Sequence, residues 1–181
     1  SQILRLKNSG AEAVLMYVSP TATVIALKTA ANVGFKTQWV GANTVSDYPL
    51  MFKISGGLFE GVISGAFGEV PDSTHPLMVK YREAAKRLAP QERWGTFYYA
   101  GILFADPIVE ALKKAGRNLS TEAVLKALNS IKDYYTSGPK ITLTEKLHQG
   151  TDSVQIQKCG PNASYIQLQG WTTNDLATWK K

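Results

Sequence analysis

Cysteine and histidine are scarce in this sequence of 181 residues, which has one cysteine, Cys159, and two histidines, His75 and His148. A single thiol excludes an internal disulfide and any zinc cluster built on cysteines. The two histidines read as surface-loop residues in no metal-ligand spacing, and neither has beside it the partner that a nucleophile or general base requires. A phosphate-cradling loop is missing as well, because Gly56-Gly57 has no lysine and does not lead from a strand into a helix. No cofactor is expected on these grounds. No apolar run comes near the roughly 18 residues that span a bilayer. The opening SQILRLKNSG has neither a charged-then-apolar leader nor a small-residue cleavage site. There is no internal repeat and no low-complexity tract.

What is present is the material of a globular core: hydrophobic residues make up 44% of the chain and charged residues 19%. The formal charge of +6 raises nucleic acid as a partner, but the 20 basic residues are scattered. Their densest groups, Arg82/Lys86/Arg87 and Lys113/Lys114/Arg117, sit at helical spacing beside Glu83 and Glu110 and read as solvated helix faces. Nucleic acid is therefore not an expected partner. Cys159 ends the alternating run SVQIQKC, which makes it a strand residue.

Along the chain, residues 2–9 read as a helix stopped by Gly10. AVLMYV (13–18) is a short apolar run of the kind buried on both faces of a parallel sheet. Ser19 then caps a helix with Pro20 at its first position. Apolar residues at helical spacing continue to Val33, Gly34 ends them, and TQWVG supplies a second strand, which completes a β-α-β unit. Residues 47–55 form a short helix, Gly56-Gly57 break it, and GVISGAF is a third strand. After the turn-rich GEVPDSTHP, Leu77, Met78, Tyr81, Ala85 and Leu88 mark one helical stripe. A longer helix over 96–115 is kinked or restarted at Asp106-Pro107. A third helix follows from the Ser120 cap, with Leu119 and Val124 spaced as a hydrophobic staple. These three helices have no sheet of their own in the sequence. KITLT, SVQIQKC and SYIQLQGW alternate as strands, the last two joined as an antiparallel hairpin by Gly160 to Ala163. The fold class is α/β.

In open α/β sheets ligands collect at the carboxyl ends of parallel strands. One such end is Tyr17, Val18, Ser19, Pro20 and Thr21, whose hydroxyls and helix-start amides suit an anionic or carbonyl group. The other is Gly41 to Thr44. Spacing alone favours a purely structural role at both, with Ser19 capping its helix and Asn43 turning the chain. The aromatic group Trp94, Phe97, Tyr98 and Tyr99 can cover a ligand, or at least two of its members can pack in the core.

The order and spacing of SQILRLKNSGAEAVLMYV, GFKTQWVG, EGVISGAF, FYYAGILFADPIVEALKKAG, GPKITLT, HQG and IQLQGW resemble the Leu/Ile/Val-binding family, the type I periplasmic solute-binding proteins of ABC importers. The resemblance covers nearly the whole chain. It implies two lobes, each a doubly wound sheet, that enclose a solute when they close. Residues 1–64 would then be a β-α-β segment of lobe two, 65–138 a helical segment of lobe one, and 139–181 the hinge return and closing strands. The resemblance also implies a membrane permease as partner and a periplasmic or cell-surface location, with the export signal upstream. A missing N-terminal half, or a second copy, is expected to cover the lobe-one helices. Carried across, Ser19, Pro20 and Thr21 match a ligand-contacting loop; Tyr98, taken from the aromatic group, joins them as a candidate site residue. Asn43, with Thr44 beside it, stands where amino-acid binders place a carboxylate for the ligand's ammonium. An amide there disfavours a plain α-amino acid unless Asp47 reaches in, because a buried ammonium needs an anionic partner. A ligand sensor of the same fold is the alternative function, and a flavodoxin-like enzyme, lacking any paired acid, base or phosphate loop, is a third.

Overall fold

Ser19, Asp47 and Ser120 each start a helix in the computed structural model, which describes residues 2–117 and 119–173. Each side-chain oxygen accepts a hydrogen bond from a backbone N–H three residues on, satisfying one of the donors that a helix leaves open at its start. In chain order the elements are α1 (Gln2–Asn8), β1 (Ala13–Met16), α2 (Pro20–Asn32), β2 (Gln38–Gly41), a 3-10 turn (Asn43–Val45), α3 (Tyr48–Ser55) and β3 (Ile63–Ala66). They continue with α4 (Pro76–Leu88), α5 (Thr96–Ala115), α6 (Thr121–Asn129), β4 (Tyr134–Tyr135), β5 (Lys140–Ile141), β6 (Ser153–Cys159), a second 3-10 turn (Pro161–Ala163) and β7 (Tyr165–Thr173).

The chain divides into two units. One runs up to Ala66 and resumes over Gln155–Gly170; the other holds Phe67–Val154 and the chain from Trp171. The first unit is built on a five-stranded sheet in the order β1-β2-β3-β6-β7. β1, β2 and β3 run parallel, as the β-α-β reading requires, and β6 pairs antiparallel to β3 with Ser64 opposite Gln157. β6 and β7 are sheet neighbours joined only by Gly160–Ser164, too short for a parallel crossover, so they form the expected hairpin. Val14, Met16, Trp39 and Cys159 of the strands, with Val62 just before β3, pack against Leu27 and Ala30 of α2 and Tyr48 and Met51 of α3. Tyr48 is fully buried, stacks on Tyr165 and shares a hydrogen bond with Ser64 Oγ at 3.0 Å.

β1 departs from the sequence reading. It is covered on one face only: its residues alternate between exposed and buried, and Leu15 is 78% exposed. On the same side of the sheet Val40, Ile63 and Ile156 are half-buried. A parallel sheet is ordinarily covered on both faces, and within this unit the described helices pack on one.

The second unit is helical with a two-stranded β4-β5 ribbon. α5 runs unbroken through Pro107, with no restart at Asp106. Buried side chains on both sides of the proline, Tyr99, Ala100, Leu103 and Ala111, hold the helix on one course. Asp106 instead joins elements, its two oxygens accepting hydrogen bonds from Tyr81 of α4 at 2.9 Å and Tyr134 of β4 at 3.2 Å. Met78 of α4, Tyr99 and Leu103 form one small core, and Ala111, Ala127 and Ile131 another. Other expected features differ. Leu88 lies off the buried stripe of α4, and Leu119 is exposed, so no staple closes on α6. KITLT pairs as a strand only at Lys140–Ile141, because the N–H groups of Thr142 and Leu143 turn to the carbonyls of Gly150 and Ile131. Arg82 donates to the carbonyls of Pro71 and Ser73, so it fastens a loop as well as facing solvent. Of the segment 139–181, the final residues lie outside those described.

Candidate functional site

In the first unit, the carboxyl ends of β1 and β2 lie side by side, because Met16 pairs with Gly41 and the Ala42 N–H continues the ladder to the Met16 carbonyl at 3.1 Å. Ser19 caps α2: its Oγ accepts from the Ala22 N–H at 3.3 Å and its carbonyl from the Thr23 N–H at 3.0 Å. Pro20 occupies the first helical position, where its missing N–H costs nothing. The second loop closes on the first: Thr44 Oγ1 donates to the Val18 carbonyl at 3.1 Å. Asn43 opens the 3-10 turn, and its carbonyl accepts from both the N–H and the Oγ of Ser46. Ser19, Thr21, Asn43 and Thr44 are exposed or half-buried and Pro20 half-buried, so five of the six expected site residues belong to one polar edge. Tyr17 stands at the same strand end, 84% exposed.

Two sequence details shape this edge. Gly41 is required because the chain folds back on it, and a Cβ there would lie 2.5 Å from Val45 Cγ2. Asp47 is fully buried, and its Oδ1 accepts from the Leu50 N–H at 3.2 Å to cap α3. The exposed polar side chains at the edge are hydroxyls, an amide and a tyrosine, beside the positive end of α2.

Tyr98, the sixth residue, belongs to the second unit. It is half-buried on the first turn of α5, its ring centroid 5.7 Å from that of Trp94. Of the aromatic group, Tyr99 is a core residue, Trp94 packs against that core and donates to the Pro71 carbonyl, and Phe97 is exposed. His75 is less of a loop residue than its surroundings suggest: it is the cap of α4, Nδ1 accepting from the Leu77 N–H, and its ring stacks on Tyr135. A cavity of about 420 Å³ in this unit is lined by Phe67, Leu103, Phe104, Ile108 and other apolar groups, with His148 at its wall. Among the described residues, no three His, Cys, Asp or Glu side chains converge to hold a metal, and no helix is long and apolar enough to cross a membrane. Burial pushes the Cys159 thiol up to about 11, the behaviour of an inert core cysteine.

A family model described as periplasmic binding protein matches residues 1–164. Among curated proteins, none matches this sequence. Solved structures with the same fold include a branched-chain amino acid ABC transporter protein from Thermus thermophilus with bound valine, at a TM-score of 0.85 and 19% identity over 97% of this chain and 49% of that one. A fatty acid ABC transporter substrate-binding protein from Thermomonospora curvata gives 0.83 and 22% over 98% and 47%. A leucine binding protein from Thermotoga maritima gives 0.77 and 15% over 96% and 48%. The chain thus spans about half the length of the structures it matches.

Proposed function

We propose, because this chain belongs to the periplasmic binding protein family, that it forms about half of the solute-binding component of an ABC importer. The solute is a small organic or aromatic acid, held between two lobes that close by hinge motion, and no bond is made or broken. The first unit contributes Ser19, Pro20, Thr21, Asn43 and Thr44 as one wall of the site; Tyr98 contributes from the other lobe.

The observation that supports an acid is the chemistry of the strand-end edge. Its side chains are neutral, those of Ser19, Thr21 and Asn43 can donate, the α2 N-terminus lies beside them, and the nearby carboxylate of Asp47 is buried and caps α3. An ammonium enclosed there meets no carboxylate among the residues of this edge, which costs several kcal/mol before relaxation, whereas a carboxylate is suited to hydroxyl, amide and helix-start donors. The fold leaves the solute open, since the similar structures include proteins described as binding valine, leucine and fatty acids.

In this reading residues 1–64 belong to lobe two, 65–138 to lobe one, and 139–181 to the hinge return. The protein works in the periplasm or on the cell surface and docks its closed form on a membrane permease. The uncovered apolar surfaces fit the same account. Leu15, Val40 and Ile63 on the sheet, and Phe104, Ile108 and Leu112 on α5, are exposed or half-buried apolar side chains that the other half of the protein covers.

A thermal-shift screen of the full-length protein tests the solute class, using benzoate-like aromatic acids, short dicarboxylates and branched-chain amino acids. A ligand at a hundred times its Kd adds about 2.7 kcal/mol of stability, a shift of several degrees. The acids are expected to give it. A shift with leucine-like amino acids alone rejects the acid reading, and silence across the panel favours a sensor of the same fold or a solute outside the panel.

A further inference from the structure

The chain passes between the two units three times, at residues 66/67, 154/155 and 170/171. The second and third passages run inside β6 and β7, whereas the first leaves the end of β3. On the near side of that first passage Ala66 is held in the sheet, paired with Gln155. On the far side the next three residues are fastened to the second unit. The Glu69 N–H donates to the Ser137 carbonyl at 2.8 Å, and the Tyr99 hydroxyl donates to the Glu69 carbonyl. The Tyr99 ring lies on Gly68 so closely that a Cβ there would sit 2.5 Å from the phenolic oxygen and 2.9 Å from Cε2. Gly138 presses on the same segment, its hypothetical Cβ 2.7 Å from the Phe67 carbonyl oxygen. The Phe67 ring stacks on Phe104.

We propose that Tyr99 is a positioning residue that clamps Phe67–Glu69 to the second unit. Motion at this passage is thereby confined to the Ala66–Phe67 link. Tyr99 contacts the clamped backbone from α5 with ring and hydroxyl, and Gly68 leaves room for that ring and does not serve as a flexible joint. The consequence for solute capture rests on the hinge-closure reading above. A short link between two fixed ends bends about few dihedral angles, which limits the motion that this passage allows.

Residue-resolved amide hydrogen exchange on the full-length protein, without ligand, tests this. The Tyr99→Phe variant keeps the ring and removes the donor. Loss of a hydrogen bond of ordinary net strength predicts about five- to tenfold faster exchange at Glu69, with Ser64 and Gly65 of β3 and the amides around Met78 and Leu103 unchanged. A core role alone would instead speed the amides around Met78 and Leu103 together with Glu69, and that result, or an unchanged Glu69, overturns the clamp. Gly68→Ala gives an independent arm. It is expected to speed exchange at Glu69 in the wild-type background and to do so less in the Tyr99→Phe background, where the phenolic oxygen it meets first is gone. Equal effects in both backgrounds overturn the seating of Tyr99 on Gly68. No ligand enters the measurement, so its failure counts against the clamp alone, and a protein that binds no solute counts against the binding reading alone.

Discussion

Removing the Asp106 carboxylate should loosen the second unit by a predictable amount. Asp106 sits on α5 and accepts hydrogen bonds from Tyr81 at 2.9 Å and Tyr134 at 3.2 Å, so one side chain joins two helices and the β4-β5 ribbon. Hydrogen bonds to a charged group contribute about 1.5–3 kcal/mol when buried. Asp106 is half-buried, which places the shorter bond near the low end, about 1.5 kcal/mol, and the longer near about 1 kcal/mol. Asp106→Ala loses both and regains about 0.5 kcal/mol in helix propensity, a net loss of about 2 kcal/mol. Tyr81→Phe and Tyr134→Phe lose the separate amounts. Urea unfolding of the single and double variants measures these values, and the Tyr81→Phe/Asp106→Ala pair should show a coupling of at least about 1 kcal/mol, in the usual range for contacting residues of about 0.5–3 kcal/mol. The phenols carry a second signature. Burial first, then Asp106 through its hydrogen bond and its charge, raises both; Tyr134 is pushed up to about 12. Asp106→Asn removes the charge, so these two phenols should release their protons at a lower pH, and the late part of the tyrosinate absorbance rise should shift down. Strict additivity of the double variant, together with an unmoved tyrosine titration, would refute the three-residue tie.

Gly41→Ala should destabilise by about 1–3 kcal/mol, the usual cost of overpacking, because its methyl meets Val45 Cγ2 at 2.5 Å. Adding Val45→Ala should recover part of the loss in chemical melts, and no recovery would contradict the close approach. Thr23 is fully buried with an unpartnered hydroxyl among the described residues. Thr23→Val should therefore leave stability equal or raise it by up to about 1 kcal/mol, and a clear loss in the same melts would reveal a partner for that hydroxyl. Cys159 gives a pH dependence. Its folded thiol holds its proton to about 11 against an ordinary value of 9.0, so the unfolded chain releases the proton first and stability falls as pH rises from about 9 to about 11. Cys159→Ala should flatten that part of the stability-pH curve, and an unchanged slope would contradict it.

Much of the first unit is legible in the sequence because its signals are local. Ser19-Pro20 announces a helix start, Gly34 its end, and the spacing of three apolar runs implies a parallel sheet with helices between strands. What the sequence hides is contact at a distance. AVLMYV looks alike whether one face or two is covered, so the exposure of Leu15 has no local sign. The proline at 107 suggests a break, yet the packing of Tyr99, Leu103 and Ala111 carries α5 past it. Asp106 reads as part of that break, but in the fold it ties together elements 25 and 28 residues away. At the candidate site, Ser19 to Thr21 and Asn43 to Thr44 follow from topology, since strand ends in such sheets are where polar loops gather. The burial of Asp47 does not, because its capping of α3 is settled by the fold of a single turn.

The most direct test of the account is calorimetric titration of the full-length protein and its Asn43→Asp variant with the acid that gives the largest thermal shift, alongside leucine. The account predicts that the wild type binds the acid. Placing a carboxylate about 5 Å from the ligand's own, at an effective dielectric of about 20, adds roughly 3 kcal/mol of repulsion, or about a hundredfold weaker binding. Leucine bound by the wild type in preference to every acid, or acid binding untouched by Asn43→Asp, would contradict the claim that this strand-end edge receives an anionic solute.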